Sequence, residues 1–307
     1  MASDPPAGGE ADSTRAVLLA LGANGAIAAA KYAAAALTGS GAMLAEAVHS
    51  TADCGNQLLL LLGMKRSRRP PNAEYPMGFG KETYFWSFVV AIMLFTVGGL
   101  FSVHEGWQKL HEPGEISSPL IAIGVLVFAI AAESFSLWGA MREIGKLRRG
   151  RSLWRWFRGS RDAELLVIFG EDIAALLGLM LALVAVLATW ITGNGVYDAL
   201  GSIAIGVLLI VVAVVVAIEV KALLVGQGVE TSVRTEMVAF LEQQAPVVRV
   251  IELLTLHMGA DVMVAVKAQM RDAPSTRALV DAINGVEADF KSRFPQVQWV
   301  FFEPDVR

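Results

Sequence analysis

The sequence predicts an α-helical membrane protein: six transmembrane helices followed by a small cytoplasmic α+β domain. Three observations carry that expectation. The 307 residues are 55% hydrophobic and only 18% charged, against about 25% charged in an ordinary soluble domain. The charges are gathered into short blocks between long apolar runs. After Val225 the runs stop, and short segments of helical and strand period replace them.

Taken in order, residues 1–14 (MASDPPAGGEADST) are polar and rich in Pro, Gly and acids, which reads as a disordered tail. The tail has no basic n-region and so does not read as a cleavable signal peptide. The transmembrane domain is expected over 15–226. Six apolar segments near 16–37, 42–64, 83–104, 119–141, 165–191 and 198–225 are each long enough to cross about 30 Å of hydrocarbon as a helix. The links TGSG and TGNG, after the first and fifth segments, are short and uncharged, so each predicts a tight helical hairpin.

Charge predicts the orientation. The link after the second span (KRSRRPPNAEYPMGFGK) holds five Lys/Arg and the link after the fourth (REIGKLRRGRSLWRWFRGSR) holds eight, whereas Lys109 is the one basic residue in the three links on the other side. The positive-inside rule then puts both termini and both basic links in the cytoplasm, as for a bacterial inner-membrane protein. An anionic leaflet accounts for the basic links, so no nucleic-acid partner is expected. The net charge of −4 identifies no partner, and the single cysteine, Cys54, excludes an intrachain disulfide and a cysteine-built zinc cage.

Residues 229–307 predict the soluble domain. Arg234–Gln244 suits a helix and Val250–Met258 a strand. Val262, Val264, Val266, Ala268 and Met270 alternate with Met263, Ala265, Lys267 and Gln269, which is period two. Thr276–Ser292 puts Leu279, Val280, Ile283 and Val286 on one helical face, and Val297–Phe302 is a last strand. The order αββαβ predicts three strands backed by two helices.

The chemistry is expected in the second span. In LAEAVHSTAD, Glu46, His49 and Asp53 stand at i, i+3 and i+7, so all three point the same way on a helix, and Asn56 and Gln57 extend the stripe. A charge at mid-membrane costs about 2.5–3.5 kcal/mol on insertion scales, so such a stripe must face the bundle interior or a wet cavity. The fifth span offers Glu171 and Asp172 side by side. Neighbouring positions diverge by about 100°, so both can line one cavity if it is wide or if the helix borders two neighbours. One imidazole and several carboxylates from two helices suit Zn²⁺, Fe²⁺, Co²⁺ or Mn²⁺. Cys54 points about 100° away from the Asp53 face and reads as a packing residue. Lys31 in the first span, which can snorkel or pair with an acid, and Glu133 in the fourth are left outside the site. Asn24 and Asp198 suit supporting or helix-end roles, and His104 and His111 suit solvated or capping ones.

GSGAMLAEAVHSTADCGNQ, YPMGFGKETYFWS, GEDIAALLG and TGNGVYDALGS, with the HSxxD motif and the αββαβ tail, resemble the cation diffusion facilitator family over roughly residues 15–307. The acidic pair of the fifth span is similar to its zinc-transporter-nine-like branch. The resemblance implies a metal/proton antiporter, usually a homodimer, with a ferredoxin-like tail. It implies that His49, Asp53 and Asp172 are metal ligands. Glu171 is expected to replace a histidine that the family carries four residues before Asp172, where this chain has Ile168. The family's histidines in the link before the third span are Tyr75 and Phe79 here, so no metal is expected there. The tail offers His257, with Asp261 and Asp305 as helpers, too little for a regulatory site.

The expected activity is therefore export of a divalent metal, Zn²⁺ or else Mn²⁺, Fe²⁺ or Co²⁺, with the metal as substrate and no resident cofactor. The rival is a membrane-anchored metal sensor or scaffold that transports nothing. An enzyme is not expected, because no nucleophile–base pair stands beside the ligands.

Overall fold

The computed structural model describes residues 8–112, 118–148 and 150–306. The chain divides into two compact units, one of residues 1–62, 87–150 and 164–218, the other of residues 63–86, 151–163 and 219–307.

The first unit is helical. Its chain is drawn from α1 (Gly8–Thr38), α2 (Gly41–Ser67), α3 (Glu82–Met93), a π-helical stretch (Leu94–Leu100), α4 (Phe101–His111), α5 (Pro119–Leu147), α7 (Ala163–Thr192) and α8 (Val196–Val225). Residues 1–7 of the expected tail lie outside the described residues, whereas residues 8–14 belong to α1. Glu10, Ala11 and Arg15 favour a helix by propensity. Among the described residues four helices are long and apolar enough to cross a membrane: Glu82–His111, Pro119–Lys146, Ala163–Thr192 and Val196–Val225. The expected first and second spans correspond to α1 and α2, of 31 and 27 residues, which are not among those four. In α2 the reason is visible: Glu46, Asp53, Lys65 and Arg66 interrupt the apolar run.

The two predicted hairpins share one hydrogen-bond pattern. In Thr38-Gly39-Ser40-Gly41 the Gly39 N–H donates to Ala35 O at 2.8 Å and the Thr38 hydroxyl to Ala34 O at 2.7 Å. In Thr192-Gly193-Asn194-Gly195 the Gly193 N–H donates to Thr189 O at 2.8 Å and the Thr192 hydroxyl to Ala188 O at 2.7 Å. Gly39 (φ 69°) and Gly193 (φ 67°) take the left-handed conformation that ends a helix and disfavours a Cβ. Ser40 and Asn194 then cap the following helices through Met43 N and Val196 N. Asp198, in the first turn of α8, accepts from Ser40 Oγ at 2.5 Å, Gly41 N at 2.5 Å and Ala42 N at 3.3 Å. It is thus a helix-end group, its charge set against the positive end of α2. His104 bonds Gln108 and His111 bonds Trp107 O, both on exposed helix surface, as a capping or solvated role requires.

Glycines let the helices approach closely. A Cβ on Gly206 of α8 would stand 2.6 Å from Val103 N and 2.7 Å from Gly99 O, and one on Gly106 2.7 Å from Ala199 O. Backbone packs on backbone along this line, the small-residue contact by which helices associate in lipid. The same helix set buries Met43, Leu94, Leu126, Leu179, Ile205 and Leu209 in one apolar core.

Lys31 brings its amine into that interior. Its side chain is 0% exposed and donates to Glu46 Oε2 at 3.1 Å and to Ser50 Oγ at 2.6 Å, so it pairs and does not snorkel. Glu46 is also 0% exposed, and its other oxygen lies where a Cβ on Gly178 of α7 would come within 2.6 Å. Glu46 is therefore consumed by an ion pair that joins α1 to α2.

The second unit holds more than residues 229–307. Helix α9 (Thr231–Glu242), β1 (Val247–Met258), β2 (Asp261–Met270), α10 (Thr276–Arg293) and β3 (Val297–Asp305) follow the predicted αββαβ order. The sheet order is β1-β2-β3, with β1/β2 antiparallel and β2/β3 parallel. Val262, Val264, Val266 and Ala268 point into a core with Met237, Leu241, Val286 and Phe290, as their alternation requires. Segments 63–86 and 151–163 join this unit through specific bonds. Tyr84 Oη donates to Gly259 O at 3.0 Å and accepts from Gly259 N at 3.1 Å. A Cβ on Gly80 would stand 1.8 Å from Met258 O, so the two turns meet backbone to backbone. Arg161 Nε donates to Gly228 O at 2.9 Å, and Arg151 pairs with Glu230 at 2.7 Å beside the short helix α6 (Leu153–Gly159).

Two stability outcomes follow from the helical unit. Lys31→Met leaves Glu46 buried without its cation and should cost about 3–5 kcal/mol, whereas Lys31→Met with Glu46→Gln should recover most of it. Thermal unfolding of the purified protein in detergent reads both, and equal melting of the single and double variants would refute the pairing. Gly206→Val should abolish folded protein, because backbone atoms at 2.6 and 2.7 Å cannot yield. Gly124→Ala, with nothing within 4 Å of the added carbon, should fold as the parent does.

Candidate metal site

Helix α2 presents its polar stripe by period, as expected. His49 is 0% exposed and both its ring nitrogens lack a hydrogen bond. Its Nδ1 stands 3.5 Å from Asp53 Oδ1, one turn further on, and Asp53 Oδ1 is likewise buried without a hydrogen bond. A Cβ on Gly98, in the π-helical stretch, would lie 3.9 Å from His49 Nδ1, so that glycine leaves room beside the ring.

The acidic pair of α7 splits between two neighbours. Glu171 accepts from Asn56 Nδ2 of α2 at 2.5 Å. Asp172 accepts from Ser136 Oγ of α5 at 3.3 Å and 3.5 Å. Adjacent side chains diverge along a helix, and here the divergence is used: one acid turns towards α2, the other towards α5.

Both acids nevertheless line one cleft, together with Asp53, Gln57, Glu133 and Ser136. Its free space of about 30 Å³ exceeds the roughly 10–15 Å³ that one water requires. Asn24 of α1 and Ser50, the acceptor of the Lys31 bond, also reach its wall. Asp53, Glu171 and Asp172 are thus brought together. His49 does not line the cleft but stands behind Asp53. Among the described residues no three His, Cys, Asp or Glu side chains converge closely enough to enclose an ion. The arrangement offers carboxylate oxygens around a polar space with an imidazole one turn away. Drawing these groups onto one ion requires side-chain or helix movement.

Glu133 is the residue that sequence reasoning left out. It is a lone acid on α5, whose apolar stretch is 17% buried, the least of the four candidate spans. Such a helix reads as mostly lipid-facing, and nothing in its sequence singles out the narrow face turned to the cleft. Spacing does hold a signal: Glu133 and Ser136 are three apart and share a face, and Ser136 reaches Asp172.

Elsewhere, the residues that stand at the family's other metal positions make these contacts. Tyr75 and Phe79 form an aromatic pair with centroids 4.6 Å apart, and the Arg69 guanidinium lies 6.0 Å from the Phe79 ring. In the tail, burial and then the charge of Arg161 hold His257 below the usual imidazole range. Asp305 is engaged by Lys267 at 2.8 Å, and the hydrogen bonds that the lysine donates to Asp305 and Glu303 push its pKa up.

Residues 17–225 match the family described as Cation efflux, cation efflux transmembrane domain. The "Proton-coupled zinc antiporter SLC30A9, mitochondrial" of Xenopus laevis is 35% identical over 224 residues, which is 72% of this chain and 40% of that protein. The Homo sapiens protein of the same name is 34% identical over 245 residues, 79% of this chain and 43% of the relative. "Metal tolerance protein C4" of Arabidopsis thaliana is 31% identical over 237 residues, 76% of this chain and 52% of the relative. The match thus spans about half the length of these relatives or less. With the family match running from α1 to the end of α8, through every residue of the cleft, this membrane protein belongs to the cation efflux family, the cation diffusion facilitators, and resembles its zinc-transporter-nine-like members.

Proposed function

We propose that this chain is a divalent metal cation transporter that exports its substrate from the cytoplasm, with Zn²⁺ as the first choice and Mn²⁺, Fe²⁺ or Co²⁺ as alternatives. The observation that carries the reading is the cleft: Asp53, Glu171 and Asp172 from two helices line it, and a buried His49 without hydrogen bonds stands behind. In this reading His49, Asp53 and Asp172 hold the metal and Glu171 supplies a further oxygen. Six helices cross the membrane, α1 and α2 included, with both termini and the basic links in the cytoplasm. The membrane is one that sustains a proton gradient, as a bacterial inner membrane does. The names of the animal relatives, which say mitochondrial, are compatible with a membrane of the same kind.

Proton coupling follows from the ligand chemistry. An imidazole binds metal when neutral and a carboxylate when ionised, so metal and protons compete for the same groups. Protons arriving from outside displace the metal, and movement of α2 and α7 against the rest of the bundle turns the cleft outwards. The rival reading, a sensor that transports nothing, needs ligands on the tail, where His257 is half-buried and Asp305 is tied to Lys267. A homodimer held partly by the tail completes the proposal. The sheet face opposite α9 and α10 carries Leu254 and Phe301, which are 57% and 55% exposed, and apolar surface of that kind suits a second copy.

Three outcomes test the reading in proteoliposomes carrying equal amounts of protein. His49→Ala and Asp53→Ala should each abolish Zn²⁺ flux, and wild-type flux in either would show the site to be elsewhere. Asp172→Ala should lose metal binding, whereas Glu171→Gln should still bind metal, transport it more slowly and change its pH profile. Titration of both variants decides, since loss in Glu171→Gln with retention in Asp172→Ala reverses the assignment. Truncation after Val225 should lower the dimer fraction by light scattering and leave the order of metal preference unchanged.

A further inference from the structure

Glu133 lines the cleft from α5, a helix that supplies none of the ligands named above. Among the described residues it makes no hydrogen bond and no ion pair, unlike Glu46, Glu171 and Asp172, each of which has a partner. An acid at membrane depth that faces a polar cleft and has no partner among the described residues is by default a candidate functional group. It is not needed to hold Asp172, because Ser136, three residues on, does that. A second observation points to an ion and not to a bare cluster of acids. His49, 0% exposed and with neither ring nitrogen hydrogen-bonded, turns Nδ1 towards Asp53 Oδ1 at 3.5 Å, and Asp53 forms part of the cleft wall.

Resting on the transport reading, we propose that Glu133 is a specificity-determining residue whose carboxylate joins Asp53, Glu171 and Asp172 around the transported ion and favours hard, oxygen-seeking divalent cations. The chemistry is a matter of donor count. Zn²⁺ is satisfied by four ligands with nitrogen among them, and His49, Asp53 and Asp172 with one more oxygen supply that. Mn²⁺ prefers about six oxygen donors, and each added carboxylate serves it more than it serves Zn²⁺. Asn24 and Gln57, amide side chains that also reach the cleft, offer neutral oxygens for the same shell. Lys31, fixed on Glu46 and on Ser50 at the cleft wall, places a positive charge nearby that makes an additional carboxylate tolerable without metal.

The test titrates full-length protein in nanodiscs with Mn²⁺ alone and with Zn²⁺ alone, comparing the parent with Glu133→Gln, Glu133→Asp and Asp53→Asn. Glu133→Gln should weaken Mn²⁺ binding at least tenfold and Zn²⁺ binding less than threefold, and Glu133→Asp should restore most of the Mn²⁺ affinity. Equal weakening for the two ions, or none for either, overturns the assignment to Glu133. Failure of the transport reading looks different: the parent would bind neither ion, or Asp53→Asn would bind both as the parent does. Thermal melting of Glu133→Gln within a few degrees of the parent shows that the loss concerns the site. If Glu133→Gln does not fold, Glu133→Ala takes its place, and a Mn²⁺-to-Zn²⁺ affinity ratio unchanged from the parent's in that variant refutes the proposal.

Discussion

The constraint on which the helical unit depends is that no ionised group at membrane depth can be left to lipid. Each acid meets it in its own way. Glu46 is neutralised by Lys31, Glu171 and Asp172 take one hydrogen bond each, and Asp198 sits at the end of α2 beside three donors. What remains is Asp53 and Glu133, which face the cleft, and a neutral polar wall around them. Sorting the acids by place therefore separates Glu46 and Asp198, which hold helices together, from the acids that line the cleft. Buried ion pairs contribute little net stability, so the Lys31–Glu46 pair reads as a device for fixing the register of α1 on α2. That register sets where Ser50 and Asp53 face.

Glycine and small residues supply the opposite kind of control. Gly99, Gly106 and Gly206 bring α8 within backbone contact of the third long helix, so that this part of the bundle is closely packed over at least two turns. The π-helical stretch Leu94–Leu100 lies within the same contact and places Gly98 beside His49. A π bulge widens a helix by one residue per turn and is frequent near functional groups. The histidine ring thus lies beside Gly98, with Asp53 Oδ1 3.5 Å from its Nδ1.

Much of this was legible in the chain itself. The α2 stripe followed from spacing, and the splitting of Glu171 from Asp172 followed from the 100° step, because both depend on local helical geometry alone. The tail's αββαβ element order followed from its helical and strand periods, and the Gly-bearing links predicted the hairpins. Glu133 was not legible, since it requires knowing which face of α5 turns inwards, and a mostly lipid-facing helix has apolar residues all round. Nor was the composition of the second unit. That segments 63–86 and 151–163 belong with the tail depends on Gly80 meeting Met258 and Gly259, and on Tyr84 bridging the Gly259 amide. Such contacts pair residues about 175 positions apart and leave no periodic trace.

Arg151, Arg158 and Arg161 are engaged by Glu230, Glu219 and the Gly228 carbonyl, so the second basic link also organises structure within its unit. Segment 63–86 joins α2 to α3, and segment 151–163 leads into α7, and of these helices α2 and α7 carry cleft residues. In the tail, Glu303 and Asp305 are engaged by Lys267, and burial holds His257 below the usual imidazole range.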